Sequence, residues 1–185
     1  MHIQTHVLSG WCVANAFPLT ACERLFAMLA ASLADLDGIG IFIDSEYYMR
    51  WHHVASHNLI WAVVLSVLLT IWSKHRRGAF FLYLGLFHLH LVMDYFGSGP
   101  GWGINYLWPF SKMEVINPRA WNFYSWQNIT TFCFSLVWTV VIFFWKKRTP
   151  LECLAPSLER RLVLLVTRRK AAHGRSSPAA IDGDL

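Results

Sequence analysis

Apolar residues in this chain fall in long blocks and do not alternate. The clearest block runs from Val54 to Trp72, broken only by Ser56, His57, Asn58, Ser66 and Thr70. A second runs from Ala79 to Phe96, with His88, His90 and Asp94 in its second half, and a third from Ile129 to Trp145. At about 1.5 Å per residue, a helix of such length crosses most of the roughly 30 Å hydrocarbon core of a bilayer. Basic residues gather at the block ends, as Lys74, Arg76 and Arg77 and again as Lys146, Lys147 and Arg148. Blocks of this length with basic flanks predict membrane helices.

The N-terminal block, Val7 to Ala34, is interrupted by Pro18 and by the Glu23–Arg24 pair. A proline inside a helix removes a hydrogen bond and crowds the preceding turn. Thr20 followed by Glu23 has the spacing of a capping box, which opens a new helix. The block therefore predicts a hairpin of two short helices, Val7–Phe17 and Ala21–Leu33. The fold class expected is an all-α integral membrane protein, a helical bundle of about five membrane segments, the first two short, with a long aromatic loop over Gly97–Trp126. Loops of that length in compact folds usually carry function or are disordered, and the Trp, Tyr and Phe content of this one predicts order at the membrane interface. Beyond the membrane domain (1–150) comes a basic amphipathic stretch (151–170), whose Leu158–Lys170 portion is expected on the cytoplasmic membrane surface. A small, polar tail (171–185) is expected to be disordered. There is no internal repeat, and no cleavable signal peptide is apparent. The Lys/Arg distribution places 73–77 and the C-terminus in the cytoplasm and the ends bearing His57, Asp94 and the long loop on the other side.

Composition agrees. Hydrophobic residues make up 55% of the 185 and charged residues 15%, against about a quarter charged in soluble domains. The net charge of +5 sits in loop clusters and not on one face, which argues against direct nucleic-acid binding. Ten Trp suit a membrane–water boundary. Cys12, Cys22, Cys133 and Cys153 show no CxxC or zinc-finger spacing and read as small core residues.

Ionisable groups within membrane spans usually face the protein interior and mark a site. Here they concentrate at one end: His52, His53 and His57 open the first clear block, and His88, His90 and Asp94 close the second. A short loop makes those two helices antiparallel, so the two groups meet. His53 and His57 are i, i+4, as are His90 and Asp94, which puts each pair on one helix face. Asp35 and Asp37 follow the second short helix and can join this layer. His6 can join it only if the N-terminal block turns back on itself. Histidine nitrogens with aspartate oxygens suit zinc, or manganese or iron in a mixed set. His2, His75 and His173 fall outside and read as solvent groups.

These residues resemble a known family, the inner-membrane metal-dependent hydrolases also described as LexA-binding membrane-associated hydrolases. The likeness runs in order from Thr5 to Lys112. It comprises TH-x3-G (Thr5, His6, Gly10), ADLDG (Ala34–Gly38), H-x4-H within HHVASHN (His52–Asn58), HLVMD (His90–Asp94) and GWGINYLWPFSK (Gly101–Lys112). His53 stands where that family often has Arg, and Asn58 where it often has Ser. The resemblance implies a ligand set of His6, Asp35, Asp37, His52, His57, His90 and Asp94. It favours His52 with His57, whereas helical spacing alone favours His53 with His57.

The function expected is a hydrolase of the inner membrane that uses a divalent metal, zinc first, to cleave an ester or phosphoester of a substrate in the lipid bilayer. Asp35 or Asp37 would orient or deprotonate the attacking water. The alternative is a non-enzymatic metal-binding or partner-binding membrane protein.

Overall fold

A computed structural model describes residues 1–174, with side chains through Thr167. The tail expected to be disordered lies outside the described residues except for the end of the last helix. The elements are α1 (Ile3–Ala14), α2 (Ala21–Ala30), a 3-10 helix η1 (Leu33–Phe42), α3 (Ser45–Trp51), α4 (Leu59–Thr70), α5 (Arg76–Gly97), α6 (Trp126–Lys146) and α7 (Pro156–Gly174). Among the described residues there is no strand beyond an isolated bridge between Ile104 and Val115. The protein is all-helical.

The N-terminal hairpin forms as its signals dictate. Thr20 Oγ1 accepts from the Glu23 N–H at 3.2 Å, and the Glu23 carboxylate accepts from the Thr20 N–H at 2.8 Å. These bonds satisfy two donors that a helix start otherwise leaves unpaired. α1 and α2 then pack at small residues. A Cβ on Gly10 would lie 2.7 Å from Ala31 Cβ and 2.8 Å from the Ala27 carbonyl oxygen, so only glycine admits this approach. Ala14, Ala27, Ala30 and Ala31 are buried around it, in the small-residue packing common between membrane helices.

The count of membrane segments is corrected. Among the described residues two helices, α5 and α6, are long and apolar enough to cross a membrane, and a third span results if α2 and η1, bent by 59°, are taken together. The block from Val54 is helical only over α4, 12 residues or about 18 Å, because residues 52–58 leave the helix for irregular turns. α1 is equally short. α4 and α5 form an antiparallel pair packed with α2 around Tyr83, Leu86 and Phe87, and α6 lies along α1 through Ser9–Ser135 (3.1 Å) and Cys12–Thr139 (3.4 Å).

The Glu23–Arg24 pair, which interrupts the apolar pattern, ties the structure together at the basic end. The Glu23 carboxylate accepts from the Lys74 N–H at 2.8 Å. Arg24 forms a buried ion pair with Glu152 just before α7. At the opposite end the long loop is ordered: the Leu59 N–H bonds Tyr106 O, the Asn105 N–H bonds His53 O, and Asn128 Nδ2 donates to Gly97 O.

Candidate metal centre

Four elements deliver donors to one point. α5 contributes His90 and Asp94, one turn apart. η1 contributes Asp35, the turn before α4 contributes His57, and α1 sets His6 behind them. One donor atom from each of Asp35, His57, His90 and Asp94 lies within 4.8 Å of the others. His90 Nε2 stands 2.9 Å from Asp94 Oδ2 and 3.6 Å from Asp35 Oδ1. His57 Nε2 stands 3.3 Å from Asp94 Oδ2 and 3.7 Å from Asp35 Oδ1. The two Nε2 atoms are 3.2 Å apart. Donors about 2.0–2.1 Å from one tetrahedral ion stand about 3.3 Å from each other, and these separations bracket that value.

The outer nitrogens of both imidazoles are committed elsewhere. His90 Nδ1–H donates to the Ala31 carbonyl at 2.9 Å, and His57 Nδ1–H donates to Asp37 Oδ2 at 3.0 Å. With those protons on Nδ1, both Nε2 atoms present lone pairs to each other and to two carboxylates. With both rings neutral, four acceptors converge with no donor among them, an arrangement that a metal cation, or a proton on His57 Nε2, resolves. Burial lowers the basicity of His57, but its bonds to Asp35, Asp37 and Asp94 outweigh this and hold its pKa well above the ordinary range. The surroundings favour positive charge at that nitrogen.

The rest of the predicted set surrounds this core. His6 Nε2 meets the second Asp94 oxygen at 3.2 Å, and its ring stacks on His90 with centroids 3.8 Å apart. The Met1 amine also contacts that oxygen. Asp37 accepts from His52 Nδ1 at 2.8 Å as well as from His57, so Asp37, His52 and His57 form a second, smaller group that could hold an ion. His53 does not pair with His57 along a helix. Its backbone is left-handed (φ 67°), which turns the ring to within 3.9 Å of Asp94 Oδ2. The two rings nevertheless lie 4.4 Å apart. Burial and the neighbouring His57 charge hold the His53 pKa well below its usual value. His6 Nδ1 and His53 Nδ1 are buried without a hydrogen-bond partner among the described residues. His88 points away and bonds Tyr106. His2 packs edge-on against Phe123, 4.1 Å between centroids, and is not a free solvent group.

Three contributors escaped the sequence reading. Ser56 exchanges hydrogen bonds with Asp37, giving its own N–H to Oδ2 and receiving the Asp37 N–H on Oγ. The Ala31 carbonyl fixes His90. Trp102, from the aromatic loop, sets its ring 5.4 Å from His52 and 5.5 Å from His53. Of these, Ser56 lay within the HHVASHN motif and Trp102 within the GWGINYLWPFSK motif. Asn58, a departure from the resembling family, caps α4 by accepting from the Trp61 N–H at 2.9 Å, a task serine also performs.

A helical membrane bundle that gathers histidines and aspartates at one end of its helices defines a class, the membrane proteins with an intramolecular His/Asp centre. The family model described as YdjM inner membrane protein matches residues 1–171, and the chain belongs to that family. No curated protein and no solved structure was found to match it. Family membership bears out the inner-membrane part of the resemblance drawn from the motifs.

Proposed function

We propose that the protein is a membrane-bound metal-dependent hydrolase that cleaves an ester or phosphoester of a membrane-associated substrate. The observation that carries this reading is the convergence of Asp35, His57, His90 and Asp94, with the outer nitrogens of both imidazoles committed to the Ala31 carbonyl and to Asp37. Two nitrogens and two carboxylate oxygens suit zinc, with manganese or iron as further fits. A divalent ion held there supplies Lewis acidity and makes water a nucleophile near neutral pH.

The chain's own residues divide the remaining work. His57 and His90 are 0% exposed and Asp94 is 1%, so the bundle excludes water from behind, whereas Asp35 at 14% is the member open to a substrate. His57, His90 and Asp94 would then hold the ion with a position left to water, and Asp35 is placed to orient or deprotonate that water. Asp37 holds the rings of His57 and His52. His6 braces Asp94. Beyond Asp35 and Asp37, η1 and the turn after it expose Leu36, Ile39, Ile41, Phe42 and Ile43, and α3 exposes Met49. Apolar surface of this extent beside an acidic mouth fits an amphiphilic substrate that keeps its hydrocarbon in the bilayer. With the basic clusters in the cytoplasm, the site lies at the non-cytoplasmic face.

Elemental analysis of the full chain purified in mild detergent tests the reading first. About one equivalent of zinc, manganese or iron is expected, lost in His57→Ala, His90→Ala and Asp94→Ala. A folded parent that neither retains nor takes up any of these ions overturns it. Metal without turnover of any lipid ester or phosphoester leaves the non-enzymatic metal-binding protein as the answer.

A further inference from the structure

The four cysteines, expected as small core residues, include a pair at the protein surface, one exposed and one half-buried. Cys22, the second residue of α2, is exposed, and Cys153, in the turn before α7, is half-buried. They are 131 positions apart in the chain, yet their Sγ atoms stand 3.0 Å apart. A disulfide bond is about 2.05 Å long, so roughly 1 Å of approach by an exposed side chain closes it. Their neighbours keep them in place. The Glu152 carboxylate receives Arg24 Nε, Arg24 Nη2 at 2.6 Å and Trp11 Nε1 at 3.4 Å. Residues 24 and 152, beside the two thiols, are thus joined by a buried ion pair, which removes most of the search that a long loop closure otherwise requires.

We propose that Cys22 and Cys153 are a reversible redox pair that closes to a disulfide under peroxide and staples the base of α7 to the start of α2. The Cys22 thiolate attacks a peroxide oxygen; an S–O bond forms, the O–O bond breaks, and the departing hydroxide takes up the thiol proton as water. The Cys153 sulfur then attacks the sulfenic sulfur, forming the S–S bond and releasing a second water. Two thiols are oxidised and one hydrogen peroxide is reduced to two waters. A thiol reductant reverses the bond through a mixed disulfide. Both cysteines lie at the end of the bundle that carries Lys74 and Lys146, where the Lys/Arg bias places the cytoplasm. There the dithiol is the resting form and the disulfide a transient response to oxidant.

The test uses the full chain in membrane vesicles, treated with equimolar hydrogen peroxide, quenched with catalase, denatured and labelled with a mass-shifting maleimide. Cys22 and Cys153 should lose labelling while Cys12 and Cys133 keep it, dithiothreitol should restore it, and peptide mass spectrometry should find the Cys22 peptide joined to the Cys153 peptide. Cys22→Ser and Cys153→Ser should each prevent the link. Full labelling after peroxide, a link to Cys12 or Cys133, or a loss that reductant does not reverse overturns the proposal. Equal linking in chain denatured before oxidation also overturns it, because the fold would then not be what brings the thiols together.

Discussion

A histidine commits one ring nitrogen by what it gives the other to hold. His90 gives Nδ1–H to the Ala31 carbonyl and His57 gives it to Asp37, so both Nε2 atoms are aimed before any ion arrives. Asp37→Asn should therefore leave the four inner donors in place yet weaken metal binding about 10–100-fold, the usual effect of losing a supporting partner. Competition with a chelator of known affinity measures it, and unchanged affinity would remove Asp37 from the orienting role. His57, His90 and Asp94 were legible in the sequence because ionisable groups at facing helix ends have few structural uses in a membrane. The choice between His52 and His53 was not legible. It depends on a left-handed turn at His53, and helical periodicity cannot register the point where the helix stops.

At the scale of elements, the hairpin shows local signals overriding a continuous apolar run. Thr20→Ala should remove one arm of the capping box and destabilise the protein by about 1 kcal/mol, read as a lower thermal midpoint in detergent with metal content retained. Gly10→Val should be worse, since its Cβ would overlap Ala31 Cβ and the Ala27 carbonyl. α1 would be pushed off α2, His6 would be carried away from Asp94, and both folded yield and metal content should fall. A Gly10→Val protein with parental midpoint and metal would show that the two helices tolerate separation. The spans α5 and α6 were legible within a few residues because length and apolarity suffice for a helix that crosses lipid. η1 and α3 were not: each is too short or too uniform for a period to register, and both hold shape by packing, as where Gly40 meets the Tyr47 ring. α4 was read too long because Val54 and Ala55 extend its apolar block, although the segment around them is diverted to place His53, Ser56 and His57.

The whole molecule has two chemically unlike ends, and that asymmetry fixes how it should sit in the membrane. One end carries Lys74, Arg76, Arg77, Lys146 and Lys147, and the Arg24–Glu152 pair. The other carries the His/Asp centre and the aromatic loop, with Arg50, Lys112 and Arg119 as its basic residues. Short loops rich in Lys and Arg stay in the cytoplasm, so the loop should face outward. Met113, which is 60% exposed, is a better probe site in that loop than Gly99, whose positive φ of 106° penalises any side chain. Met113→Cys in an otherwise cysteine-free chain should react with a membrane-impermeant maleimide in intact spheroplasts. A sister variant that keeps only Cys22, exposed at the basic end, should react only after lysis. The paired design separates orientation from reactivity, because each thiol must label fully once the membrane is opened. If Met113→Cys is protected and Cys22 labels in intact spheroplasts, the orientation is inverted. The His/Asp cluster would then open toward the cytoplasmic leaflet, and any lipid substrate of the proposed hydrolase would be one of that leaflet.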